Sequence, residues 1–542
     1  MTEHSDEYEW WRGATVYQIY PRSFLDTTGN GIGDLRGVTR RLDYVRDLGV
    51  DAIWLSPFFK SPMRDFGYDV SDYCDVDPLF GTLRDFDELL AAADKRGLRI
   101  VIDQVYSHSS SEHPWFRESA ADRTNARADW YVWADPGADG TEPNNWQSIF
   151  GGPSWTWSPE RQQYYLHNFL SEQPDLNLHD EEVQQAILDI ARFWLDRGVK
   201  GFRLDALHCL MHDLELRDNP DRENPPTTAH KPYHRQEHIF DHAHPGVPGF
   251  LQRVRKLTEE YDSIFTVAEI GTWNPLPLMQ EYAHPSRLNS AYSFDFLAAP
   301  RLDAAAFREV VGAWPNDRDS GWPSWAFSNH DAPRVATRWR DTGSGDTRTT
   351  LLALLQFSLR GNVFLYQGEE LGLPQADIPF ERLRDPEGIV HWPDTMGRDG
   401  ARTPMPWCET EPNAGFSAAE PWLPVDPRHV PRAVDNQAQD PNSILSFFKR
   451  VIHFRQSAPA LLGGDLKFLP SPENGLLFLR SGNDQHVLCG FNLDADTLAF
   501  DIDTGWKLGA ALETGKPPVR SGGGKLLLES GHGFMAVVQT QE

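Results

Sequence analysis

The chain has 542 residues, of which 40% are hydrophobic and 24% charged, and 51 Lys+Arg against 79 Asp+Glu give a formal net charge of −28. That composition excludes disorder, collagen and coiled coil. The acidic field repels polyphosphates and anionic lipid, so nucleic acid is a poor partner and a neutral small molecule a suitable one. No run reaches the roughly 18 apolar residues of a membrane span, and the opening MTEHSDEYEWWRG lacks a signal-peptide pattern, so no membrane association and a cytoplasmic location are expected. Cys74, Cys209, Cys408 and Cys489 are scattered and predict free thiols. The 19 Trp suit the apolar faces of sugar rings as well as core packing.

In chain order, TVYQIYP (15–21), AIWLSP (52–57), RIVIDQVYSH (99–108), GFRLDAL (201–207) and IFTVAEI (264–270) read as short buried strands. AYSFDF (291–296), WAFSNHD (325–331) and NVFLYQG (362–368) bring their number to the eight that close a (β/α)8 TIM barrel. Helical stripes lie between them, Leu83, Phe86, Leu89 and Leu90 within 82–95, and Val183, Ile187, Ile190 and Trp194 within 181–197. Gly97 and Gly198 follow as stop signals. The interval between the third and fourth strands is too long for a loop and one helix, so 109–175 is expected to form an inserted domain. Past about residue 464 the pattern changes to alternating strands with turns, which predicts a C-terminal antiparallel β-sandwich at 465–542. The expected organisation is therefore barrel (1–108), inserted domain (109–175), barrel (176–464) and β domain (465–542).

Active sites of such barrels lie at the C-terminal strand ends, so polar residues closing an apolar strand are the informative ones. Asp103 and His108 close the third strand, Arg203 and Asp205 the fourth, Glu269 the fifth, and His330 and Asp331 the seventh. Singly, each carboxylate reads as an ion pair or a cap. Together they supply what retaining glycoside hydrolysis needs, two carboxyl groups about 5 to 5.5 Å apart, one a nucleophile and one a proton donor. Arg203, two residues before Asp205 and so on the same strand face, would keep Asp205 ionised. Glu269, between Ala268 and Ile270, would have its pKa raised and serve as the acid.

DQVYSH (103–108), GFRLDA (201–206), AEI around Glu269 and FSNHD (327–331), with QPDLN (173–177) as a fifth motif, resemble the strand-end motifs of the α-amylase superfamily of glycoside hydrolases, in order and over nearly the whole chain. The resemblance implies Asp205 as nucleophile, Glu269 as general acid/base and Asp331 as the carboxylate that grips substrate hydroxyls, with Arg203, His108 and His330 as hydroxyl and charge partners. Ser107 stands where the common motif has Asn, a calcium ligand in many amylases, which argues against the usual amylase calcium site. DFGYDVSDY (65–73), GNGIGDLRG (29–37) and GRDGARTPMPW (397–407) resemble the α-glucosidase and oligo-1,6-glucosidase branch. That branch implies Tyr68 stacked on a terminal glucose and Asp65 with Arg398, or the neighbouring Arg402, closing the pocket. Phe150 and Phe169 would be walls, or else core aromatics of the insertion. Ala206, after the nucleophile, goes with α-1,4 rather than α-1,6 linkages in that branch.

The loop DTTGNGIGD (26–34) has EF-hand-like spacing, in which Asp26, Thr28, Asn30, the Ile32 carbonyl and Asp34 could ligate a structural Ca²⁺ or Mg²⁺, without the glutamate at position 12. Its alternative is a glycine-rich turn without an ion. The segment 211–249, rich in Pro, His and charge, is expected to be a lid over the pocket. A zinc reading of its His230, His234, His238, His242 and His244 is set aside, because there is neither an HExxH pattern nor a cysteine partner. The expected activity is a retaining, exo-acting α-glucosidase on short α-1,4-glucosides such as maltose, with transfer of glucose to acceptors and no organic cofactor, as a monomer or homodimer. A sucrose hydrolase or glucosyl-transferring isomerase is the alternative, and a non-catalytic barrel subunit a remote one.

Overall fold

All eight apolar runs become strands in the computed structural model, which describes residues 9–225, 231–317, 320–339, 345–521 and 524–540. They are β1 (Thr15–Ile19), β2 (Ala52–Leu55), β3 (Arg99–Gln104), β4 (Gly201–Leu204), β5 (Phe265–Ile270), β6 (Ser290–Ser293), β7 (Ser324–Ala326) and β8 (Asn362–Tyr366). Parallel pairing runs in the order β6-β5-β4-β3-β2-β1-β8-β7. A parallel bridge between Ala291 and Pro323 joins the two ends of this row and closes the barrel.

Strand alternation separates two cores. Val16, Trp54, Val101, Phe265, Val267 and Phe364 form one cluster with Trp10 and Trp11 inside the barrel. Ile53, Ile100, Ile102, Phe202, Leu204, Ala268 and Ile270 belong to the larger cluster between strands and helices. The helix Leu83–Asp94 starts at Thr82, which forms a capping box with Asp85. Asp180 caps Glu181–Asp196, whose buried stripe includes Val183, Ile187, Ile190 and Trp194. Gly97 and Gly198, at φ of 72° and 101°, turn the chain back after these helices.

The strands are shorter than the apolar runs. Beyond Gln104 the chain leaves the barrel ladder and pairs with the returning end of the insertion, the Leu176 amide donating to the Ser107 carbonyl and His108 bridging Asp175. Between β3 and β4 lie the helix Pro114–Ala121 and an antiparallel sheet in which Gln163–Leu166 sits between Trp133–Ala134 and Trp155–Ser158. At the C-terminus a five-stranded and a three-stranded antiparallel sheet enclose Leu477, Leu488, Phe500, Leu526 and Phe534. Buried Arg480 ties this region to the barrel by donating to the Ser358 carbonyl, and Arg455, from the helix Ile444–Ser457, donates to the neighbouring Phe357 carbonyl, both at the C-terminal end of the helix Gly345–Ser358. Cations are favoured there by the unpaired carbonyls of the last turn.

Candidate active site

The inward positions of β3, β4 and β5 change from apolar to charged at their C-terminal ends, and register brings them together. Asp103 lies beside Arg203, and Glu269 beside Tyr292. Arg203 is fully buried and serves three carboxylates. Its Nη1 donates to Asp103 at 2.8 Å and to Asp205 at 2.5 Å, its Nη2 pairs with Glu269, and its Nε donates to the Tyr292 hydroxyl at 3.0 Å. Burial pushes the Asp205 carboxyl above its usual range, with Glu269 and Asp103 acting in the same direction against the pull of Arg203. Asp103 is pushed up to about 6, again chiefly by burial. Arg203 pulls Asp205 toward ionisation as expected, but one guanidinium against three carboxylates does not offset the burial.

The surroundings of Glu269 differ from the apolar setting expected of its sequence neighbours. Alternation turns Ala268 and Ile270 to the outer face, and Glu269 accepts from the Tyr292 hydroxyl at 2.9 Å and from the Ala206 amide at 3.1 Å. Ala206 adopts a left-handed conformation, φ 43° and ψ 46°, which aims that amide at the carboxylate. Such a backbone is uncommon outside glycine and characteristic of functional turns.

A second charged group closes the other end. Arg398 Nη2 donates to Asp65 at 2.7 Å and to Asp385 at 2.7 Å, with Asp331 at 3.5 Å from Nη1. Asp385 was not singled out in the sequence. It lies deep in the loop after β8 and not at the strand end, and only the fold brings it to Arg398. Burial would raise its carboxyl, but Arg398 outweighs this and holds it at about 2. Arg402 lies beneath, fully buried, bonded to Asp331 at 2.8 Å and to the His330 carbonyl at 2.8 Å. Arg398 lines the cavity and Arg402 does not. Although burial opposes it, the adjoining His330 ring and the charges of Arg402 and Arg398 keep Asp331 ionised below the usual carboxylate range.

Both expected histidines are present, but as neutral donors rather than charges. Burial lowers His108 to about 4 and His330 to about 3. The Gln18 amide, 2.8 Å from His330 Nδ1, makes that nitrogen the acceptor and leaves the proton on Nε2, 2.6 Å from the Tyr68 hydroxyl. Tyr68 in turn donates to Asp103 at 3.1 Å. Ser107, the departure from the common motif, lies 2.9 Å from His108 Nδ1, and His108 Nε2 donates to the Tyr68 carbonyl at 3.0 Å. Gln173 reaches Asp65 at 3.2 Å.

These groups face a cavity of about 730 Å³, within the usual size of small-molecule sites. Asp65, Tyr68, His108, Asp205, Ala206, Glu269, Asp331 and Arg398 all line it, whereas Arg203 and His330 stand behind the wall. Phe150 and Phe169 both face it, with ring centroids 5.9 Å apart, so they are walls rather than core. The pairing of Lys231 with Glu387 at the rim was not read in the sequence, because the two come from unrelated loops. The Lys231 ammonium donates to Glu387 at 2.5 Å and to the Ile149 carbonyl at 3.0 Å, joining the loops after β4 and β8 to the insertion. Of the expected lid, Lys231, Tyr233 and His234 line the cavity. Asn145 holds its flanks, through Asp218 at 2.9 Å and Gln236 at 2.8 Å. His230 lies outside the described residues.

The loop 26–34 is satisfied from within. Asp26 accepts from the amides of Thr28, Gly29 and Gly31 and from the Ser417 hydroxyl, and Asp34 from Thr27 and the Gly37 amide. Asn30 Oδ1 accepts from the Ile32 amide, a turn within the proposed ligand set. Gly31, at φ 84°, lets the loop dock, since a Cβ there would come within 2.0 Å of the Glu420 carbonyl. Close packing thus accounts for that glycine.

The α-amylase catalytic-domain model matches residues 18–464. A probable α-glucosidase of Rhizobium meliloti (strain 1021) is 53% identical over 502 residues, 91% of either chain. An oligo-1,6-glucosidase of Heyndrickxia coagulans is 36% identical over 540 residues, 92% of this chain and 95% of that protein. The crystal structure of the α-glucosyl transfer enzyme XgtA superposes with a TM-score of 0.93 at 48% identity, covering 98% of this chain and 99% of that one. The chain belongs to the α-amylase family of glycoside hydrolases, and is an enzyme of that family rather than a non-catalytic barrel subunit.

Proposed function

We propose that this enzyme is a retaining, exo-acting α-glucosidase that removes terminal α-1,4-linked glucose from short substrates such as maltose and passes part of it to acceptor hydroxyls. The observation that carries the reading is one guanidinium gripping both Asp205 and Glu269 beside a pocket end sealed by Asp65, Arg398 and Asp385. Sharing a guanidinium favours the close spacing of a retaining pair, about 5–5.5 Å, over the roughly 6.5–9.5 Å of an inverting one. Asp205 attacks the anomeric carbon while Glu269 gives its proton to the departing oxygen, leaving a glucosyl ester. Water, or an acceptor hydroxyl, then loses its proton to Glu269 as it displaces Asp205, and the configuration is retained. Asp65, Arg398 and Asp331 are placed to take hydroxyls of the terminal glucose, Tyr68 to stack on its face, and the sealed end bars a polymer from threading through.

Names of relatives include both α-glucosidase and oligo-1,6-glucosidase, so linkage rests on Ala206, whose small side chain lines the cavity next to the nucleophile. Four free thiols fit a reducing, cytoplasmic setting. Initial rates on maltose, isomaltose, sucrose, trehalose and maltotriose test the reading. Maltose is expected to be fastest. Faster isomaltose would overturn the linkage, and sucrose as the best substrate, cleaved or rearranged, would replace this reading with the hydrolase or isomerase alternative.

A further inference from the structure

Beyond Asp205 the chain turns under the mouth and presents His208 and Cys209 to the far end of the 211–249 segment, where His242 packs against them. The rings of His208 and His242 meet edge-on with centroids 4.9 Å apart. One ligand atom from each of His208, Cys209 and His242 lies within 4.8 Å of the other two, and each residue is only 4% exposed. Buried polar groups are normally paired, yet His242 Nε2 has no hydrogen-bond partner. His208 makes one long contact, 3.3 Å from the Gly271 amide to Nδ1. A neighbouring group, His238, Asp241 and His242, is equally compact. There, however, both His238 nitrogens are committed, to Asp241 at 2.8 Å and to the Tyr233 carbonyl at 2.9 Å. The open lone pairs therefore belong to the first group, and it is the fold that supplies the cysteine partner the histidine-rich segment lacks in sequence.

We propose that His208, Cys209 and His242 form a binding site for a borderline-soft divalent transition-metal ion, zinc foremost, with a fourth position open to water. Two imidazoles and a thiolate suit zinc and not calcium or magnesium. Ligands about 2.0–2.3 Å from a tetrahedral ion stand roughly 3.3–3.8 Å from one another, so closure takes about an ångström of side-chain rotation. Binding releases the Cys209 thiol proton to solvent and involves no change of oxidation state. An ion here fastens the end of the 211–249 segment to the turn that carries the nucleophile.

Cobalt(II) reports such a site through thiolate-to-metal charge-transfer absorption. Full-length enzyme stripped of metal by a chelator and dialysed is expected to bind one equivalent of Co²⁺ with that band, to lose it to one equivalent of Zn²⁺, and to unfold at higher temperature with Zn²⁺. Cys209→Ser removes the band, and His242→Gln weakens Zn²⁺ binding tenfold or more, so either variant tests the site if the other folds poorly. Cys74→Ser with Cys408→Ser, which removes the two half-buried thiols, keeps the band. No band in the wild type, a band that survives Cys209→Ser, or one lost with Cys74 and Cys408 would overturn the proposal.

Discussion

A single guanidinium serves three carboxylates at the mouth of this barrel, and the charge imbalance should be visible in the pH profile. Asp103 and Asp205 are both raised, chiefly by burial, so kcat/KM is expected to fall on the acid side near pH 6, the limb reporting the cluster rather than one residue. Asp103→Asn deletes a negative charge that opposes ionisation of Asp205, so that limb should move to lower pH by roughly one unit; an unmoved or upward-shifted limb would contradict this coupling. At Ala206 the left-handed backbone disfavours branching at Cβ. Ala206→Val should lose about 1–2 kcal/mol of stability in urea unfolding and change the maltose-to-isomaltose ratio toward isomaltose by about 10-fold or more, the usual range for methyl-sized differences. The convergence of the carboxylates on one site was legible because charged residues interrupt apolar strands at inward positions. Asp385 was not, because it lies deep in the loop after β8, far from the strand end, and meets Arg398 only through the fold. The neutrality of His108 and His330 was also hidden, since it comes from burial.

Substrate length is expected to be set by the three loops that build the rim. Lys231 holds them together through Glu387 and the Ile149 carbonyl. Lys231→Ala should raise maltotriose turnover relative to maltose several-fold, leaving maltose kcat within about twofold, because the pair stands at the rim and not at the reacting atoms; steady-state rates on both sugars check this. Equal ratios in variant and wild type would show that the rim does not limit length. The length and proline content of 211–249 pointed to a lid. Its anchors did not, because Asn145 and Lys231 are far apart in sequence from Asp218 and Glu387. The closeness of Cys209 to His242 was hidden for the same reason, since most of the loop separates them in sequence.

Across the whole molecule, strand periodicity foretold the barrel, the insertion and the β region, since alternation and spacing are local properties. What joins these parts is long-range, in part apolar, with Phe478, Phe491 and Met535 in one cluster with barrel residues, and in part polar. Arg480 donates to the carbonyls of Ser358, Leu461 and Gly464, and Arg480→Ala would leave them unpaired in a dry interior. We expect a loss of about 3 kcal/mol or more in urea unfolding, with kcat of the folded enzyme unchanged. The central claim, a glucosyl ester on Asp205 resolved by Glu269, is tested most directly in the Glu269→Gln variant given α-glucosyl fluoride, whose leaving group needs no acid. The account predicts that one glucosyl unit accumulates on the protein and maps to the peptide containing Asp205. No adduct, or one on Asp331, would contradict it.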